Sequence, residues 1–373
     1  MSGLPIAKPS ELDIDSDQLE GAYRQLRQWV TMGKIPGVAI VIGRNGKVLQ
    51  PQFFGKHQPE GKSPPLTEDA LFLSASITKP VVVGAMMTLV EKGELALSDR
   101  VKKYLPRFTG DGRDDVQIRH LMCHTSGLPD MVSSNNALRA GHKPLSAFIE
   151  AIYHEPLLFP PGTKVSYQSM GLALLGEIFH QLAGTTLAEY LQSHVFEPLQ
   201  MKDTSLGWNS GKKERIARIR VSEEMRGKDW NWNSEYWLAL GAPWGGMITS
   251  PMDLARYCQM ILNGGELEGK RLLSRASIEA MTRNQLDCQL KIPEEDRRCK
   301  PWGLGWRLNW PGHSSNFGDL LGPRAFGHWG ATGTVCWIDP DQTAYGIILS
   351  TQPQEPEGFF LARISNMVCA AFR

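Results

Sequence analysis

The sequence predicts an α/β fold of the α+β type, an antiparallel sheet flanked by helices with a mostly helical second lobe. Three observations carry this. Two strand-like runs near the start, Gly37 to Ile42 and Lys47 to Phe53, are joined at Asn45-Gly46, a dipeptide suited to a two-residue hairpin turn. Strand-like runs return late, at Gly303 to Leu308, Gly333 to Ile338 and Ala344 to Ser350. Between the two sets the apolar residues recur with helical spacing. The early hairpin and the late strands are expected to share one sheet, so that residues 1–80 and 241–373 form an α/β domain. Residues 81–240 would then form the helical lobe, with the active site at the boundary, where ligand pockets commonly lie.

The elements follow in order. Leu19 to Met32 reads as a helix ahead of the first hairpin. Residues 80–95 form an apolar helix with a stop signal at Gly93. Helical periodicity recurs at Pro144 to Tyr153, Met170 to Ala183, Leu187 to Phe196 and Met252 to Leu262, the last ended by Gly264-Gly265. Phe359 to Phe372 reads as a closing helix.

A chain of 373 residues, 42% of them hydrophobic, can bury one large core or two joined ones. A net charge of +1 gives no reason to expect nucleic acid or an anionic membrane as partner. The first nine residues lack a basic region followed by an apolar core, so no signal peptide is expected. The most apolar run, Pro80 to Val90, is cut off by Glu91-Lys92 before it reaches the length of a membrane span. The cysteines (Cys123, Cys258, Cys288, Cys299, Cys336 and Cys369) are scattered and form no Cys-x-x-Cys, which favours free thiols and a cytoplasmic location. Cys288 and Cys299, flanking a charged loop, are the one plausible pair.

The chemistry centres on Ser76-Ile77-Thr78-Lys79, followed by Pro80 and the apolar helix. One helical turn places Ser76 and Lys79 on one face, so the amine can reach the hydroxyl. Ser74 lacks a Lys at that offset. Tyr167-Gln168-Ser169 follows the turn Phe159-Pro160-Pro161-Gly162-Thr163 and precedes a helix, where Tyr167 can relay a proton. Much later comes Gly327-His328-Trp329-Gly330-Ala331-Thr332-Gly333, whose glycines allow a strand edge to approach a ligand closely.

With these three motifs the chain resembles the serine β-lactamase-like superfamily: class C β-lactamases, D-alanyl-D-alanine peptidases, D-aminopeptidases and family VIII carboxylesterases. The resemblance runs from about Ile35 to about Thr351 and includes Pro36 to Ile42, Leu121 to Leu128, Gly245 to Leu254 and Trp302-Gly303-Leu304-Gly305-Trp306. It implies a β-lactamase/transpeptidase-like fold, with Ser76 as acylated nucleophile, Lys79 as its base and Tyr167 as proton relay. It further implies an oxyanion hole from the backbone N–H groups of Ser76 and Ala331, and substrate contacts at Ser169, Trp329 and Gly330. His328 takes the first place of the third motif, which is often Lys.

The departures shape the substrate expectation. Many amide- and lactam-cleaving relatives have Asn where this chain has Ser169, and a β-lactamase usually has Lys and Thr where His328 and Trp329 stand. A fixed cation there binds the carboxylate of a penicillin or a peptide terminus. A histidine of ordinary pKa, about 6.5, is largely neutral at pH 7. The expected activity is therefore a serine hydrolase cleaving small-molecule carboxylic esters through an acyl-enzyme, without cofactor or metal. Lys79, neutral through burial, would take the Ser76 proton directly or through Tyr167, and His328 would orient substrate or steady an anionic Tyr167. The second expectation is an amide hydrolase, either a D-amino-acid peptidase or a weak β-lactamase. The third is a binding or scaffold protein that keeps the fold without turnover.

Other features read more plainly. His120 and His124 are four apart but lack the Glu of a His-Glu-x-x-His motif, and the family resemblance implies a structural helix end there rather than a metal site. Asp111 to Asp115 lacks calcium-ligand spacing and reads as a solvated turn. No Gly-x-Ser-x-Gly elbow occurs, which argues against an α/β-hydrolase. Trp230, Trp232, Tyr236, Trp237 and Trp244 crowd one polar stretch as either core packing or an aromatic wall.

Overall fold

The structure, a computed structural model, describes residues 3–208, 211, 213–309, 317–353 and 359–373. Strand β1 (Ile6–Ala7) precedes helix α1 (Ser16–Thr31). Asp15 starts that helix: its side chain accepts from the N–H groups of Asp17 and Gln18 at 3.0 and 3.1 Å, satisfying two otherwise orphaned donors. Strands β2 (Gly37–Arg44) and β3 (Lys47–Leu49) meet at Asn45 and Gly46, both at positive φ (53° and 78°), as the mirror-image turn requires. The expected single strand over Lys47 to Phe53 is instead broken at Gln50-Pro51, because proline cannot donate to a ladder. Its second half, β4 (Gln52–Gly55), pairs with the start of β2.

Strand β5 (Phe72–Leu73) leads through a 3₁₀ turn (Ala75–Ile77) into α2 (Thr78–Glu91), which is buried almost all round and so runs through the core. Gly93, at φ 74°, stops it. There follow α3 (Ile118–Met122), α4 (Asn135–Ala140), α5 (Leu145–His154), α6 (Met170–Ala183) and α7 (Leu187–Leu191). The helix expected over Leu187 to Phe196 changes its winding at Gln192 and finishes as a π-turn. Strand β6 (Ser205–Leu206), α8 (Glu235–Leu240), β7 (Met247–Thr249) and α9 (Pro251–Leu262) come next. The hairpin β8 (Glu266–Leu267) and β9 (Lys270–Arg271) precedes α10 (Arg275–Thr282) and α11 (Glu294–Cys299). The chain closes with β10 (Arg307–Leu308), β11 (Phe326–Gly330), β12 (Thr334–Asp339), β13 (Ala344–Ser350) and α12 (Phe359–Cys369).

The strand expected from Gly303 shrinks to Arg307–Leu308, because Gly303 to Gly305 turn instead. The Gly303 N–H donates to Trp306 O at 2.9 Å, and Gly305 sits at φ 75°. The early hairpin and the late strands do share one sheet, in the order β1-β3-β2-β13-β12-β11-β10, with β4 also on β2. Every pairing in it is antiparallel except β1 with β3.

Side-chain alternation assigns its two faces. Val38, Ile40, Ile42, Val335, Trp337 and Ile348 pack under α1 and α12, whereas Ala39, Val41, Cys336, Ile338 and Ile347 join the larger core around α2 and α9. β5, β7 and β6 form a second, small sheet that anchors the start of α2. Cys288 and Cys299 are both free, so the one plausible disulfide is not formed. Among the described residues no helix is long and apolar enough to cross a membrane.

Candidate active site

Three segments meet at Ser76. The Ser74 backbone N–H and hydroxyl both donate to Met247 O at 2.9 Å, tying the turn to β7. Ala75 then adopts φ 49°, a left-handed conformation that costs a residue with a Cβ about 1–2 kcal/mol. The Thr78 hydroxyl holds it by donating to Ala75 O at 2.6 Å, while Met247 N–H donates to that same hydroxyl at 3.0 Å. The turn aims Ser76 away from the core: it alone between Leu71 and Pro80 is partly exposed.

Lys79, one turn on, is fully buried. Its Nζ donates to Ser76 Oγ at 2.8 Å and to the backbone carbonyl of Trp244 at 2.9 Å. Burial pulls its pKa down to about 7, against the opposing pull of the Asp130 carboxylate. Near neutral pH a substantial fraction of the amine therefore has a free lone pair beside the serine hydroxyl.

Tyr167 arrives from the turn ahead of α6. Its ring centroid lies 4.7 Å from Lys79 Nζ. Burial raises the hydroxyl's pKa above its ordinary value, and the nearby Ser76 hydroxyl only partly offsets this, so Tyr167 stays protonated. An anionic Tyr167 steadied by His328 does not fit this environment.

His328 lies on β11, fully buried, with Nδ1 2.7 Å from Trp329 O and with Nε2 lacking a hydrogen-bond partner among the described residues. Burial, with the Lys79 charge adding to it, takes its pKa down to about 3. It is a neutral imidazole throughout the physiological range. Trp329, half-buried, stacks on Tyr167 with centroids 6.1 Å apart and planes 22° from parallel.

The end of β11 is pressed onto the Ser76 turn. A Cβ at Gly330 would stand 2.4 Å from Ser74 O and 2.3 Å from Thr334 Oγ1, so only glycine fits. The Thr332 and Thr334 hydroxyls donate to Leu73 O and Ser74 O at 2.8 and 2.9 Å, fixing the same approach. This brings the strand end at Ala331 beside the start of α2. Ser169 sits at the N-terminal cap of α6, its N–H donating to Asp130 O at 3.1 Å.

The structure adds groups the motifs do not name. His124, at φ 62°, packs on Tyr167 and Trp302 with centroids 4.7 and 4.2 Å away, and its Nδ1 accepts from Gln168 N–H at 3.2 Å. Trp302, from the turn that replaces the expected strand, faces Tyr167, His328 and Trp329. His120 and His124 use their Nδ1 atoms on different backbone N–H groups, Gln117 and Gln168. The tryptophan-rich stretch divides: Trp237 and Trp244 are core, while Trp230 and Trp232 line a cavity of about 460 Å³ with Arg139 and Met225. Among the described residues no group of His, Cys, Asp and Glu is arranged to hold a metal.

A family model described as Beta-lactamase matches residues 18–366. A protein of Salmonella enteritidis PT4 named "Putative D-alanyl-D-alanine carboxypeptidase" is 27% identical over 390 aligned positions, covering 95% of this chain and 87% of that protein. Among solved structures, a penicillin-binding protein homologue from Caulobacter crescentus superimposes with a TM-score of 0.77 at 23% identity, covering 96% of this chain and 98% of the other. A family VIII carboxylesterase gives a TM-score of 0.75 at 22% identity, covering 98% and 99%. At these identities the two superpositions speak for the fold.

Proposed function

The chain belongs to the beta-lactamase family, and we propose that within it this protein is a serine hydrolase acting on carboxylic esters of small molecules through an acyl-enzyme on Ser76. The observation that carries this is the fully buried Lys79, its pKa lowered to about 7 and its Nζ 2.8 Å from Ser76 Oγ. In the proposed mechanism the free amine of Lys79 takes the Ser76 proton as Oγ attacks the ester carbonyl. The backbone N–H groups of Ser76 and Ala331 receive the oxyanion; losing one such donor typically costs about 10²–10³ in turnover. Tyr167, kept neutral by burial, passes the proton from Lys79 to the leaving alcohol, and water then releases the acyl group. Gly330 and Trp329 border the substrate, and Ser169 offers a hydroxyl beside it. His328 acts here as a neutral wall.

That neutrality supports ester over lactam. A penicillin or a peptide C-terminus brings a carboxylate, and His328 offers it no charge where a lysine would. An amide reading keeps one specific support: the exposed Asp130 carboxylate acts electrostatically on both Lys79 and Tyr167, and would suit an amino-acyl substrate with a free amine. In the arrangement proposed, residues 1–80 and 241–373 supply Ser76, Lys79, His328 and Trp329, and the lobe of 81–240 supplies Tyr167. The free thiols fit a reducing compartment, and we place the protein in the cytoplasm.

A panel of p-nitrophenyl esters, a chromogenic cephalosporin and D-alanyl peptides tests the proposal. Ester turnover with a silent cephalosporin and silent peptides is the expected result. Faster peptide or D-amino-acid amide turnover would move the assignment to the amide branch.

A further inference from the structure

Tyr167 stands on a stretch, Lys164 to Gln168, that belongs to no helix or strand, so no ladder fixes its backbone. One residue takes that part. The Ser166 N–H donates to the carbonyl of His124 at 2.9 Å, and the Gln168 N–H donates to His124 Nδ1 at 3.2 Å. The two amides flanking Tyr167 therefore end on the same histidine, one on its main chain and one on its ring. That ring also packs on the Tyr167 ring, with centroids 4.7 Å apart and planes 36° from parallel. Neighbouring bonds set the course of the two segments further out. Gly162 N–H donates to Thr125 O at 2.8 Å, and Gln168 Nε2 donates to Leu121 O at 2.9 Å.

His124 takes this place against its own preferences. Its φ of 62° is left-handed, which a residue with a Cβ adopts only where its surroundings impose it. It is 1% exposed, and with Nδ1 accepting from Gln168 the proton of the neutral ring sits on Nε2. That Nε2 has no partner among the described residues. An apolar side chain would fill the same space without burying an unpaired N–H, but it would offer Gln168 no acceptor. The Nδ1 lone pair, rather than packing, accounts for a histidine here. Burial, and after it the Lys79 charge, hold the ring's pKa well below 6.5, which keeps that lone pair free.

We infer that His124 is the positioning residue of Tyr167: by holding both flanking amides and the ring, it aims the phenol at the leaving alcohol. The inference rests on the serine-hydrolase reading above. As the acyl C–O bond breaks, the Tyr167 proton goes to the leaving oxygen and is replaced by the one Lys79 took from Ser76.

Two esters sharing an acyl group, p-nitrophenyl butyrate and ethyl butyrate, test it. p-Nitrophenolate leaves as a stable anion, whereas ethoxide must be protonated as it departs. The readout is kcat/KM, which reports acylation, beside the thermal midpoint of each variant. Tyr167→Phe and His124→Phe, which keeps a ring but no acceptor, should each lose about 10²-fold or more on ethyl butyrate. On the p-nitrophenyl ester each should lose less than about threefold. His124→Asn tolerates the left-handed backbone and keeps a side-chain acceptor, and should recover ethyl ester turnover about tenfold over His124→Phe. The double variant should be no slower than Tyr167→Phe alone. Should His124→Phe not fold, His124→Gly, at ease with that backbone, is read in its place.

Equal losses on the two esters in His124→Phe would overturn the inference and make His124 a support of the fold alone. So would undiminished ethyl ester turnover, losses that multiply in the double variant, or no recovery in His124→Asn. Wild-type protein inert toward both esters would instead overturn the hydrolase reading, and this inference with it.

Discussion

The proposed chemistry turns on one amine. Ser76 is held by a turn that Ala75, Thr78 and Met247 fix independently of its hydroxyl, so Ser76→Ala should remove turnover by on the order of 10⁴–10⁶-fold. Its thermal midpoint should stay within about 2 °C of wild type. A large loss of stability would make Ser76 structural. Lys79 sets the pH profile. With its pKa lowered from 10.5 to about 7, the free amine grows as pH rises through 7, so kcat/KM should climb to a plateau above that value. An ester pH–rate profile lacking an acid limb near 7 would contradict Lys79 as base. The buried histidines act on stability. His120 and His328 are lowered from 6.5 to about 4 and about 3, so below pH 6.5 the unfolded chain takes up protons that the folded chain refuses. Their stabilising contribution is complete above pH 6.5 and is lost as pH falls toward those folded values. Urea midpoints measured from pH 7 down to pH 4 should fall accordingly.

At the scale of elements, the approach of β11 to the α2 turn makes the site. Gly330→Ala places a methyl 2.4 Å from Ser74 O, so the strand end must lift off the turn. The expected outcome is a loss of about 10²-fold or more in kcat with a stability cost of about 1–3 kcal/mol. Native-like kcat in that variant would separate the strand end from the chemistry. The sequence discloses the Ser76–Lys79 pair through a local spacing that one helical turn enforces. It discloses β11 poorly: Phe326-Gly327-His328-Trp329-Gly330 carries two glycines, and only pairing with β10 and β12 makes it a strand. The split of Lys47 to Phe53 was available at Pro51. The Trp244 carbonyl that holds Lys79 has no side-chain signal at all, since any residue would supply it. His124 and Trp302 join Tyr167 only through tertiary packing.

Over the whole molecule, stability and chemistry come from different layers. α1 and α12 cover the face of the sheet that Val38, Ile40, Ile42 and Trp337 present, and Trp337 Nε1 donates to Ser365 Oγ on α12 at 3.1 Å. Leu361→Ala, in that fully buried layer, should cost about 2–5 kcal/mol while the folded fraction keeps its kcat. Chemical denaturation read beside turnover checks this, and a kcat falling in step with stability would couple that layer to the site. The sheet's composition from both ends of the chain was legible, because a two-residue turn and three apolar runs have few other ways to bury their faces. Which side chains cluster behind Tyr167 was not, because His124 and Trp302 lie 43 and 135 residues from it along the chain and meet it only in the fold. The most direct test of the central claim is intact-mass analysis of the protein quenched during turnover of a p-nitrophenyl ester, with peptide mapping of the product. The account predicts one acyl group, on Ser76, absent from Ser76→Ala. An acyl group on another residue, or turnover that survives in Ser76→Ala, would contradict it.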